Sequence, residues 1–90
     1  MNGPLVAEIQ IVNKLGLHAR AAAKFVKLAS TFQAKITLVR SGQEADGKSI
    51  MSILMLTAEK GSSITLKVEG PDQEEAFGQL RKLIADGFGE

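Results

Sequence analysis

The chain has 90 residues, 11 Lys and Arg against 10 Asp and Glu, 44% apolar residues, a single histidine and no cysteine. That is the balance of an ordinary globule with room for one core, so one domain over 1–90 is expected, its core spanning about residues 5–87. It excludes disulfides and thiolate chemistry, leaves too few ligands for a protein-only zinc site, and with a net charge of +1 and no Trp or Tyr gives nucleic acid binding little support.

The segment Leu5 to Val12 alternates Ala7, Ile9 and Ile11 with Glu8 and Gln10, the period of two of a half-buried strand. Asn13 and Gly16 then mark a loop, after which Ala22, Phe25, Val26 and Ala29 recur at helical spacing while Lys24 and Lys27 fall on the other side. This predicts an amphipathic helix whose first turn holds His18 and Arg20. The β-branched stretch Lys35 to Arg40 reads as a second strand, Ser41 to Gln43 as a turn, and Glu44 to Asp46 as a short return strand. From Ser49, a candidate N-cap, the apolar residues Ile50, Met51, Ile53, Leu54, Met55 and Leu56 crowd into less than two helical turns before Gly61 closes the segment.

One helical face of a small domain cannot bury all six. Ile50, Met51 and Leu54 are therefore candidates for an exposed apolar patch, a use that suits the adaptable side chain of methionine. Ile64, Leu66 and Val68 alternate with Thr65, Lys67 and Glu69 in a last strand. A final helix is predicted from Asp72, with Glu75 at capping-box spacing, to near Gly87, with Ala76, Leu80, Leu83 and Ile84 facing inward. The order β-α-β-β-α-β-α, with one apolar stripe per long helix, describes a two-layer α+β domain. The longest apolar run, Ile53 to Leu56, is far too short to span a bilayer, and Met1 to Pro4 has neither the basic start nor the following apolar stretch of a secretory leader.

Gly42 to Ser49 matches G-x-x-x-x-G-K-[ST], the phosphate-cradling loop of nucleotide hydrolases, at every fixed position. The mechanism of that motif requires a buried parallel strand before it and a long helix after it. Here a hairpin precedes it and acidic residues fill it, so nucleotide binding is not expected.

His18 has several readings as a residue: core, cap, base or carrier. At a helix start, unpaired N–H groups and a partial positive charge favour an anion. An imidazole nitrogen there could accept a phosphoryl group whose oxygens Arg20 would hold with its planar donor fork. The residues alone leave this open against a plain helix cap beside a solvated arginine.

The segments LGLHARAAAKFV, KSIMSILML and EGPDQEEAFGQL, in that order and spacing from about Leu5 to Ile84, resemble the HPr family, the histidine-containing phosphocarriers of the bacterial phosphoenolpyruvate:sugar phosphotransferase system. The resemblance implies an open-faced β-sandwich of four antiparallel strands with three helices on one face. It implies that His18 takes a phosphoryl group on its δ nitrogen from an Enzyme I-like donor, with Arg20 as its electrostatic partner, and relays it to IIA-type acceptors for sugar uptake. The protein is then a group carrier rather than an enzyme turning over a small molecule, and needs no cofactor or metal. Ser49 matches the family's regulatory phosphorylation site, the target of a kinase/phosphorylase in many members. Ile50, Met51 and Leu54, rimmed by Lys24 and Lys27, match its docking patch. A cytoplasmic monomer without membrane insertion is expected. The alternative is a regulatory paralogue that acts on other proteins through phosphorylation of His18 or Ser49. One departure stands out: where members usually have proline after the arginine, this chain has Ala21.

Overall fold

The computed structural model describes residues 3–90; Met1 and Asn2, part of the expected domain and of the segment read for a leader, lie outside the described residues. Four strands form one antiparallel sheet: β1 (Leu5–Gln10), β2 (Lys35–Arg40), β3 (Gln43–Asp46) and β4 (Ser63–Glu69). Their spatial order is β1-β4-β2-β3, so the last strand of the chain fills the centre and pairs with both β1 and β2. Two strands that run parallel are thereby separated by one that opposes both, and every neighbouring pair is antiparallel.

Register turns the alternation seen in the sequence into a continuous apolar surface. Ala7 stands opposite Leu66, which stands opposite Leu38, which in turn faces Ala45; Ile9 pairs with Ile64, and Val68 lies between Leu5 and Ile36. These residues share one face because alternate side chains point to the same side of a strand. The opposite face carries Glu8, Gln10, Thr37, Val39, Glu44, Thr65 and Lys67. The apolar face is covered by α1 (Ala19–Ala29), α2 (Ile50–Leu54) and α3 (Gln73–Ala85). Ala22, Phe25 and Ala29 of α1 and Ala76, Leu80 and Ile84 of α3 are fully buried against it, as their spacing predicts, while Val26 and Leu83 are partly buried at its margin.

Three expectations need correction. The second helix is only five residues long, because Thr57 adopts φ 47° and breaks the helical path; the apolar run continues as a turn that buries Leu56 and Ala58. Asp72 stands at the N-cap position of α3, yet its carboxylate forms no capping bond there. It instead accepts the backbone N–H groups of Gln33 (2.8 Å) and Ala34 (2.9 Å) in the turn between α1 and β2, and so pins α3 to that turn. These bonds to the charged form hold the Asp72 carboxyl below its ordinary value. Third, the core extends past residue 87: Phe88, within a short 3-10 turn over Gly87–Gly89, is buried.

The segment that imitates a nucleotide loop is accounted for locally. Gln43 to Asp46 are β3, Gly47 packs so closely on Ile36 that a Cβ would lie 2.5 Å from its Cγ2, and Lys48 directs its Nζ to the carbonyl of Phe32 at 2.7 Å. A lysine committed in this way does not face a phosphate.

Candidate functional site

The site begins in the loop between β1 and α1. Gly16 has φ 65°, and a Cβ added to it would lie 2.4 Å from the carbonyl oxygen of Ala58. Only glycine permits that approach, which lets the Leu17 N–H donate to the same oxygen at 2.8 Å. Asn13, buried, closes the loop by donating its side-chain N–H to the Gly16 carbonyl at 2.6 Å. Leu17 is buried. The loop is thus fixed on both sides of Gly16, and it delivers the next residue, His18, to the head of α1.

His18 is the N-cap of α1, with extended backbone (φ −80°, ψ 179°); its carbonyl accepts the first helical bond, from Ala22, and its side chain makes no capping bond. The imidazole is therefore free of the backbone. Its Nε2 is closed off from solvent and has no hydrogen-bond partner among the described residues, whereas Nδ1 is not sealed in this way. Ala21, where the family usually has proline, is fully buried beneath the first turn and keeps the N–H that proline lacks.

What faces the imidazole is a carboxylate from the far end of the sequence. Glu90 Oε1 lies 3.4 Å from His18 Nε2. The same oxygen accepts from Arg20, through Nε at 2.8 Å and Nη2 at 2.5 Å, while Oε2 accepts from Lys24 Nζ at 2.5 Å. Lys24 also donates to the Phe88 carbonyl at 3.0 Å. Hydrogen bonds from Lys24 and Arg20 lower the Glu90 carboxyl to about 2, so it is ionised at any ordinary pH. Three residues within two turns of α1 therefore converge on one anionic group.

His18 and Arg20, the two residues singled out from the sequence, lie together at Glu90 Oε1. Lys24, expected on a docking rim, is instead committed to Glu90 and Phe88; Lys27, one helical turn further along α1, is exposed. Glu90 itself was missed, and the only local signal was the glycine pair around Phe88. Of the apolar patch, Met51 is 71% exposed and Ile50 39%, but Leu54 is half-buried and packs on the core. Met55 and Leu15, each 65% exposed, join the exposed set. The Leu17 to Ala58 bond ties the histidine loop to the turn that follows α2, the helix that carries Ile50 and Met51. Ser49 caps α2, its Oγ accepting from the Ser52 N–H at 3.2 Å.

A family model described as the PTS HPr component phosphorylation site matches residues 5–86. The chain belongs to the HPr family. Curated HPr phosphocarriers resemble it over nearly their whole length: that of Cupriavidus necator is 49% identical over 86 residues, covering 96% of this chain and 97% of the relative, and that of Pseudomonas aeruginosa is 48% identical over 84 residues, covering 92% and 93%. Among solved structures, HPr from Thermoanaerobacter tengcongensis superposes with TM-score 0.91 at 43% identity, covering 96% of this chain and 97% of the other, and HPr from Bacillus anthracis with 0.87 at 40%, covering 92% and 99%. The open-faced HPr sheet with its three helices is the architecture described above, and membership makes this a phosphocarrier-family protein of the phosphotransferase system. No helix among the described residues is long and apolar enough to cross a membrane.

Proposed function

We propose that residues 5–88 act as one domain that accepts a phosphoryl group on His18 from an Enzyme I-like, phosphoenolpyruvate-dependent donor and relays it to IIA-type acceptors of sugar uptake. The observation that supports this is an imidazole without a capping bond at the head of α1 beside Arg20 of the first turn, the two side chains meeting at the same Glu90 oxygen. The Nδ1 lone pair attacks phosphorus, the bond from phosphorus to the donor's leaving atom breaks, and its electron pair departs with the donor. The N–H groups of the first turn of α1 and Arg20 stabilise the added negative charge. Met51, Met55, Ile50 and Leu15 give the donor and the acceptors a shared apolar landing surface. In this reading the protein works as a cytoplasmic monomer.

Incubation with phosphoenolpyruvate and a cognate Enzyme I is expected to add an acid-labile, base-stable phosphate that His18→Ala cannot accept. Equal labelling of the alanine variant overturns the assignment.

A regulatory role for Ser49 has its own support. The residue heads α2 directly before the exposed Ile50 and Met51, so a phosphate there would sit comfortably at a helix start yet place about two negative charges against an apolar surface. A cognate kinase and ATP should give an acid-stable phosphate that Ser49→Ala lacks.

A further inference from the structure

The arrangement around Glu90 is more than a surface ion pair. The chain reaches it through three consecutive left-handed residues, Gly87 (φ 67°), Phe88 (φ 58°) and Gly89 (φ 73°), with the Phe88 ring buried in the core. An aromatic residue held in that conformation needs its surroundings to over-determine it. Here the buried ring, the Lys24 bond to the Phe88 carbonyl and the Arg20 and Lys24 bonds to Glu90 do so together. The result is a carboxylate with both oxygens engaged, one of them 3.4 Å from the imidazole nitrogen that solvent does not reach.

That nitrogen is either a proton donor or a lone pair. A lone pair on Nε2 would lie 3.4 Å from the lone pairs of an ionised carboxylate oxygen, too close for a water to stand between them, and the two would repel. A proton on Nε2 turns the same contact into an attraction. In a neutral imidazole a proton on Nε2 leaves the lone pair on Nδ1.

We propose that Glu90 is a positioning residue for His18: its carboxylate, clamped by Arg20 and Lys24, holds the imidazole proton on Nε2 and keeps the Nδ1 lone pair outward for phosphoryl transfer. The consequence for transfer rests on the phosphocarrier reading of His18. When Nδ1 forms its bond to phosphorus and the donor departs with the electron pair of the bond that breaks, the Nε2 proton stays in place. The ring gains a positive charge, and that charge develops beside the carboxylate. The 3.4 Å separation is long for a hydrogen bond and shortens as the ring becomes cationic, since contacts of this kind tighten towards the transition state. Arg20 thereby acts twice, holding Glu90 in the resting protein and sharing its donors with the phosphoryl oxygens during transfer.

The test uses the full chain labelled with nitrogen-15, in which the single histidine gives an unambiguous ring spectrum. At about pH 8.5, where a histidine ring is ordinarily neutral, the wild type should show a protonated Nε2 and an unprotonated Nδ1. In Glu90→Ala the two ring nitrogen shifts should move towards each other as the second tautomer is populated. Lys24→Met, which loosens the clamp without removing the carboxylate, should move them part of the way. Phosphorylation of His18 by a phosphorylated donor should slow about tenfold in Glu90→Ala, the effect of one lost charge-assisted contact. A wild-type ring protonated on Nδ1 overturns the proposal, and so does a Glu90→Ala protein whose ring spectrum or transfer rate matches wild type. Failure of wild-type His18 to take up phosphate instead sinks the phosphocarrier reading, and the ring spectrum then decides the tautomer role of Glu90 alone.

Discussion

Two left-handed residues on either side of the site carry opposite energetic signs. Gly16 must be glycine both for its φ of 65° and because a Cβ would collide with the Ala58 carbonyl, so Gly16→Ala is expected to destabilise the protein by about 1–3 kcal/mol. The same substitution displaces the loop that carries His18, so labelling by the donor should slow even where the protein is fully folded. Thr57 is exposed and β-branched, and its φ of 47° costs strain that glycine does not suffer. Thr57→Gly should therefore raise stability by up to about 1 kcal/mol, the strain relieved less the extra freedom of an unfolded glycine. Urea unfolding followed by circular dichroism measures both, with the slope of each transition unchanged. A Thr57→Gly protein less stable than wild type would show that the threonine contributes more through its hydroxyl bond to the Leu56 carbonyl than it loses to strain.

At the scale of elements, periodic segments were legible and non-local ties were not. The strands and the two long helices have faces that repeat every two or 3.6 residues, and burial follows those repeats. The helix at Ser49 was misjudged in length because a crowded apolar run looks the same whether it continues as helix or folds under as a turn. Asp72 was legible as a polar residue ahead of a helix; that its carboxylate serves the end of α1 instead depends on a contact between positions 39 apart. Glu90 is the stronger case, since its partners His18, Arg20 and Lys24 lie at the other end of the chain. Both carboxylates imply the same acid response. Each has a folded value below its ordinary one, 3.8 for Asp72 and 4.5 for Glu90, so each contributes fully above that ordinary value and loses its contribution as pH falls through the folded one. For Glu90 the window runs from about 4.5 down to about 2. Stability should decline across it, and carboxyl carbon shifts should show Glu90 protonating near its lower edge. In Glu90→Gln the part of the decline that belongs to this residue should disappear, while the part due to Asp72 persists.

The molecule as a whole separates what must be rigid from what must be shared. The sheet, with Leu66 between Ala7 and Leu38 at its centre, backs α1, and the loop that carries the imidazole is fastened to the turn after α2. The relay proposed above would use one surface for donor and acceptors alike, which favours side chains that repack over side chains that lock. Met51 suits such a surface, being largely exposed and contributing little to the core. Met51→Glu should leave the urea midpoint within about 0.5 kcal/mol of wild type, as for most surface substitutions. The same change places a charge in the proposed landing surface, where a buried anchor is commonly worth about 1–2 kcal/mol or more, so the donor concentration for half-maximal phosphorylation should rise roughly tenfold. The maximal rate should hold, because the polar contacts of Glu90 are with His18, Arg20 and Lys24 and none is with Met51. A fall in that maximal rate with no change in half-saturation would mean that the residue acts on the chemistry of transfer, and that the partners dock elsewhere.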